Sequence, residues 1–252
     1  MIVVQLLLTV AVARGAEKDS STDVKPFEVN WPALKFPARP RVAIDAAEWA
    51  DTQNRPQPLT QKKNAIALGE KWLSASLQVP RGYGSWTFYY ACSDDGTRLK
   101  MRTPTEHVCP KCNKVYSDER TLAAYRGSLH DQLNKATLEL AWAYAWNRDD
   151  RFAAEVRRVL VQLATDYPTY PDRLDRWGRT GFFAQLGGRR YVQSLDEAVG
   201  VIPLAQAYDL TCESPVWSDA DRQLVEREFF RARSEEHTSE LQSQFRISYA
   251  VF

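Results

Sequence analysis

The sequence predicts an all-α fold of consecutive antiparallel helix pairs, interrupted by one small β-hairpin insert. Three observations carry this expectation. First, Leu122, Tyr125, Leu129, Leu133, Ala136, Leu140 and Tyr144 recur at steps of three and four, an apolar stripe about seven turns long. Second, Phe152, Val156, Val159, Leu160, Leu163, Ala164 and Tyr167 form another such stripe after the polar turn Asn147-Arg148-Asp149-Asp150, in which either Asp is placed to cap the next helix. A turn this short makes the two an αα-hairpin. Third, no run of strand-forming residues is long enough for a large sheet. With 252 residues, 44% of them hydrophobic, the chain can bury one sizeable core.

The elements follow in order. Ile2 to Val12 is apolar but too short to span a membrane, and Ala11-Val12-Ala13 offers a small-x-small cleavage site. Residues 1–16 are expected to be a signal peptide; a buried first strand or helix is the alternative. Residues 17–60, rich in Pro and polar residues with anchors at Phe27, Trp31, Leu34 and Phe36, read as an extended arm. Within it, Arg41-Val42-Ala43-Ile44 suggests a short strand, and Asp45 a cap for a helix through Trp49.

Residues 61–232 form the expected helical domain. Its first helix runs from Lys62 to Leu77 on the stripe Ala65, Leu68, Trp72 and Ala75, with Gly69 an unfavourable residue inside it. An insert follows at about 86–117, opened by the β-prone Trp86-Thr87-Phe88-Tyr89-Tyr90. After the helix pair, residues 168–192 lack periodicity. Ser194 to Leu210 is helical with a kink expected at Pro203, and Ser218 to Arg231 is helical with Leu224, Val225 and Phe229 inward. Those three are expected to need cover from a further helix. Residues 233–252 resemble a translated sequencing adapter and are set aside as one would a fusion scar. His237 goes with them, leaving His107 and His130.

Cys92, Cys109 and Cys112 make a C-x16-C-x2-C pattern. Two cysteines two residues apart on a tight turn point both thiolates at one tetrahedral ion, and the hairpin cysteine adds a third. The expectation is structural zinc, with His107, Asp94 or Asp95 as fourth ligand. The alternative is a disulfide plus a free thiol. Cys212 reads as a small buried apolar residue.

Arg126, His130 and Asn134 stand one turn apart on a polar stripe of the first long helix. His130 is equally readable as functional or as a satisfied structural imidazole. The 168–192 segment interleaves Arg173, Arg176, Arg179, Arg189 and Arg190 with Tyr170, Trp177, Phe182, Phe183 and Tyr191. Guanidinium groups pair with carboxylate or sulfate, and aromatic faces stack on sugar rings. Arg126, His130, Trp177, Arg189, Arg190 and Tyr191 are therefore the candidate contacts to an anionic polysaccharide; a loop merely pinned by its aromatics is the plainer alternative. In Ser194-Leu195-Asp196-Glu197 a capping box explains Glu197 better than catalysis does. The formal charge of +1 gives no argument for nucleic acid.

In this order the chain resembles the heparinase II/III-like proteins, a family of polysaccharide lyases. The likeness is carried by Arg41-Val42-Ala43-Ile44, by Cys92 with Cys109-Pro110-Lys111-Cys112, by Tyr125-Arg126 with His130, by Ala141-Trp142-Ala143-Tyr144 through Tyr167 and Tyr170, and by Ser194-Leu195-Asp196-Glu197 through Ala207-Tyr208-Asp209-Leu210. It implies an incomplete α/α-toroid whose inner helices line a cleft, followed in full-length members by a β-sandwich. Function follows as β-elimination on a uronic acid, in a secreted or periplasmic protein free of the membrane after signal removal. The family's Asn-His signature has no counterpart here, so the resemblance places no catalytic base or acid, and the chain is expected to be an inactive front part. A toroid glycoside hydrolase would need facing carboxylates, with Asp196 and Asp209 the candidates. A non-catalytic glycan-binding domain would need neither.

Overall fold

The computed structural model describes residues 37–55, 58–171, 174–175, 178–180, 183 and 187–231. The signal-like start, the arm as far as Phe36, Trp177 and the adapter-like tail lie outside them. Among the described residues there are six α-helices and one three-stranded antiparallel sheet. No helix is long and apolar enough to cross a membrane.

The arm is less extended than expected. Asp45 does cap α1 (Ala46–Asn54), accepting the Glu48 N–H at 2.8 Å, and Trp49 is buried edge-on against Trp146. Residues 42–44 form bends rather than a strand. Their backbone is held by a side chain: Asp209 accepts the N–H groups of Arg41 and Val42 at 2.7 and 2.8 Å, and Arg39 at 2.5 Å. Helix α2 (Pro58–Ser74) starts earlier than read, with Pro58 at its first position, where proline loses no helical bond. Gly69 is explained by packing, since an added Cβ would lie 2.5 Å from the Ala143 Cβ and 2.8 Å from Phe152.

Trp86–Tyr90 is not a strand; Thr87–Tyr89 is a single 3₁₀ turn. Strands β1 (Lys100–Thr103), β2 (Glu106–Val108) and β3 (Val115–Tyr116) then pair in sequence order, with Met101 opposite His107 and His107 opposite Tyr116. This insert closes on its own small core of Tyr90, Cys92, Leu99, Cys109 and Ala124.

Helix α3 (Glu119–Asn147) is capped by Asp118 and packs against α2, α4 (Asp150–Asp166) and α5 (Ser194–Thr211). Its stripe is graded. Leu133, Ala136, Leu140 and Tyr144 are buried, whereas Leu122, Tyr125 and Leu129 are half-buried. The αα-hairpin is as expected: Arg148 takes the left-handed conformation, Asp149 caps α4, and every residue of the α4 stripe is buried. Helix α6 (Asp219–Leu224), opened by a Ser218/Asp221 capping box, continues as a π-helical segment, Val225–Arg231. Val225 and Phe229 are fully buried, Phe229 edge-on to Tyr167 at 5.5 Å, so the expected exposed face is already covered from within.

Candidate metal centre and polar seam

Two tight turns build the first site. In each, a cysteine carbonyl accepts the N–H four residues on: Gly96 to Cys92 and Asn113 to Cys109, both at 2.9 Å. Gly96 and Asn113 both take positive φ, +70° and +64°, which Gly and Asn tolerate best. The turns are copies of one another, so Asp95 stands in the first where Cys112 stands in the second. One donor atom from each of Cys92, Asp95, Cys109 and Cys112 lies within 4.8 Å of the other three. Sγ of Cys92 is 3.6 Å from Sγ of Cys112, and Sγ of Cys109 is 3.9 Å from the Asp95 carboxylate. A tetrahedral ion at ordinary zinc–sulfur distance sets neighbouring sulfurs about 3.8 Å apart, close to what is found. These spacings are far above a covalent S–S bond, and all the cysteines are free.

The surroundings favour thiolate at Cys92. The Tyr116 hydroxyl donates to Cys92 Sγ at 3.2 Å and is the largest cause holding that thiol below its ordinary pKa. The Lys111 N–H donates to Cys109 Sγ at 3.4 Å. His107, expected as a ligand, is not in the cluster. Its ring is fully buried, with Nδ1 2.6 Å from the Tyr90 hydroxyl, and burial lowers its pKa. The physical reason is competing partners: the ring packs against Tyr90 and Tyr125 in the insert's core and its Nδ1 is taken by the Tyr90 hydroxyl. Cys212 is buried as expected, its thiol pushed up to about 11 by burial.

The second site is the polar stripe of α3, now a buried seam. Residues 188–192 run beside 82–86, joined by Gly84 N–H to the Arg190 carbonyl at 2.8 Å and Val192 N–H to the Gly84 carbonyl at 3.1 Å. That places Arg190 against the stripe: Nε donates to His130 Nδ1 at 3.0 Å and Nη2 to Asn134 Oδ1 at 2.8 Å. With Nδ1 accepting, the His130 proton lies on Nε2 and is donated to the Gly82 carbonyl at 2.9 Å. Burial first and the Arg190 charge second hold His130 well below the usual imidazole range. The Tyr191 hydroxyl accepts from Asn134 at 3.1 Å and donates to Asp131 at 2.9 Å, and burial keeps it protonated.

His130, Arg190 and Tyr191 were expected on a cleft wall; they are interior, and both His130 nitrogens are engaged. Arg126 is tied to the Tyr83 carbonyl and to Glu119. Arg189 is half-buried over the Tyr167 ring. Ser194 is not a cap: α5 is preceded by Gln193, and Glu197 instead accepts the Tyr191 N–H at 2.7 Å. Asp209 is used up holding the arm. What does reach the surface is the seam's mouth, where Asp131 is exposed and Asp196, half-buried, accepts from Trp86 Nε1 at 2.8 Å. Burial raises the Asp196 pKa, with the neighbouring Asp131 and Glu197 charges adding to it. Asp131 was missed because an acidic residue beside a polar stripe reads as ordinary helix surface. Among known proteins, no family model matches this chain and no curated protein matches it.

Proposed function

We propose that this chain is the helical part of a secreted polysaccharide lyase acting on uronic-acid-containing glycans, its insert closed by a structural zinc ion. The observation that supports the lyase reading is the seam, a chain of hydrogen bonds from the Arg190 guanidinium through the Asn134 amide and the Tyr191 phenol to the exposed Asp131. β-Elimination draws the C5 proton from a uronate, forms the C4–C5 double bond and expels the 4-linked oxygen. It asks for groups that neutralise a carboxylate and for a protonated donor near the leaving oxygen. The buried groups act as positioning residues that fix Asp131. An incomplete α/α-toroid is the architecture proposed with it, the helix pairs lining one wall of a cleft. The proposed partner is an anionic polysaccharide.

Zinc fits the insert because three thiolates and one carboxylate complete a closed tetrahedral set, and thiolate-rich tetrahedral sites select zinc. Cys92, Cys109, Cys112 and Asp95 would hold it, and its part is to lock the insert's fold.

Asp131 with Asp196 also supports a glycoside hydrolase, since a carboxyl of raised pKa beside a second carboxylate is what acid–base hydrolysis requires. One assay separates the readings. The whole chain is incubated with polygalacturonate, alginate and a heparin-like polymer. An unsaturated, ultraviolet-absorbing product supports the lyase; new reducing ends without absorbance support the hydrolase; binding without either product leaves a glycan-binding domain.

A further inference from the structure

We infer that the aromatic turn Trp86–Tyr89 is a sugar-stacking subsite that takes the C–H face of one pyranose ring. It rests on the polysaccharide assignment and adds the place where the polymer touches. Phe88 is 63% exposed, the opposite of what an apolar ring does without a partner. It does not stand alone. Its centroid lies 5.2 Å from that of Trp86 and 4.2 Å from that of Tyr89, and Trp86 and Tyr89 are 5.9 Å apart. Three rings thus form one surface.

The surface is built to stay where it is. Trp86 Nε1 is anchored twice, to Gln193 Oε1 and Asp196 Oδ2, each at 2.8 Å. The preceding backbone crosses α3 at a glycine pair: an added Cβ on Gly84 would lie 2.7 Å from the Gly127 Cα, and one on Gly127 would lie 2.2 Å from the Ser85 carbonyl oxygen. The Ser85 N–H donates to the Ala123 carbonyl at 2.8 Å, which fixes the approach. A mobile aromatic would lose ordering entropy on binding; this one has already lost it.

Its edges are polar. The exposed Arg120 guanidinium stacks on one face of Tyr89, 3.6 Å from its centroid, which leaves Phe88 and Trp86 as the sugar-facing rings and sets a cation beside them for a uronate carboxylate. Gln193 and Asp196 stand at the Nε1 edge of Trp86, acceptors for the hydroxyl groups of a ring stacked there. Aromatic faces carry partial negative charge and attract the polarised C–H groups of a pyranose, whose hydroxyls then point to the rim. The shared chemistry is the pyranose face, which a uronate or a neutral hexose can supply.

The test is titration of the whole chain with polygalacturonate and, separately, with a neutral mixed-linkage β-glucan. Phe88→Ala is expected to weaken binding roughly ten-fold, a stacking contact's worth. Phe88→Trp should retain it, and neither variant should shift the melting temperature by more than a few degrees, because Phe88 is mostly exposed and touches no residue of the main core. Phe88-dependent binding confined to the β-glucan upholds the subsite and removes the uronate assignment. Polygalacturonate binding untouched by Phe88→Ala overturns the subsite and leaves the uronate assignment standing. Wild-type protein that binds neither polymer overturns the subsite as well.

Discussion

Asp95 shows how much one residue decides. In the first turn it stands where the second turn has Cys112, so the metal set is three sulfurs and an oxygen. Replacing Asp95 by Cys should tighten zinc binding, since a fourth thiolate suits the ion better than a carboxylate. Asp95→Ala should weaken it by an order of magnitude or more, while His107→Gln should leave the stoichiometry at one ion per chain. Competition against a chromogenic chelator reads all three. Loss of the metal in His107→Gln alone, with Asp95→Ala unaffected, would restore the histidine as ligand. The signal was present in the sequence: Cys92-Ser93-Asp94-Asp95 repeats the spacing of Cys109-Pro110-Lys111-Cys112 with a carboxylate for a thiol. Asp95 stood among the candidates beside His107 and Asp94, and this repeated spacing is what selects it.

His130 sets a pH dependence with a definite sign. Burial and the Arg190 charge keep it neutral in the folded chain, whereas in the unfolded chain it titrates near 6.5. Below that pH the unfolded chain binds a proton that the folded chain refuses, so its contribution is intact above about 6.5 and is lost as pH falls. Denaturant midpoints measured from about pH 7 to about pH 5 should fall, and the fall should be smaller in His130→Gln. Equal slopes in the two proteins would show that the imidazole is not held neutral. The sequence left this histidine undecided between function and structure. What decided it was Arg190, sixty residues away and invisible to any local pattern.

At the scale of elements, periodicity and capping were legible and crossings were not. The α4 stripe is buried residue for residue as its spacing demands, and Asp45, Asp149 and Ser218 cap where their side chains can reach the first turn. Ser194 failed as a cap because Glu197 is taken by the Tyr191 N–H of the incoming strand-like segment, a contact with no local signature. Trp86–Tyr90 failed as a strand for a similar reason: β-propensity describes a pleated, half-buried surface, and among the described residues the pairing with 188–192 stops at Gly84 and no strand continues it alongside 87–90. Glycines mark the crossings. Gly69 lets α2 press on Ala143 and Phe152, so Gly69→Ala, a gain in helix propensity, should instead destabilise the fold by about 1–3 kcal/mol through overpacking. A melting temperature at or above that of the parent would mean that α2 stands farther from α3 than described.

At the scale of the whole molecule, the central question is what closes the core. Leu224, Val225 and Phe229 were expected to wait for a following helix, yet Val225 and Phe229 are fully buried against α4 and Tyr167. The arm contributes at the other side, where Arg39 and the 41–42 backbone neutralise Asp209, and Trp49 packs on Trp142 and Trp146. Two consequences follow, one destabilising and one neutral. Asp209→Ala leaves the Arg39 guanidinium and two backbone N–H groups without their acceptor, and should cost about 2–4 kcal/mol and loosen residues 39–49 toward proteolysis. Ending the chain after Ala232 removes twenty residues that resemble an adapter and share no stripe with the π-helical segment. That truncation should leave the denaturant midpoint and its slope unchanged, because the slope follows the surface exposed on unfolding and the tail's sequence offers no apolar stripe to bury. A lowered slope in the truncated chain would show that the tail packs on the domain, and that the cover found for Phe229 is shared with it.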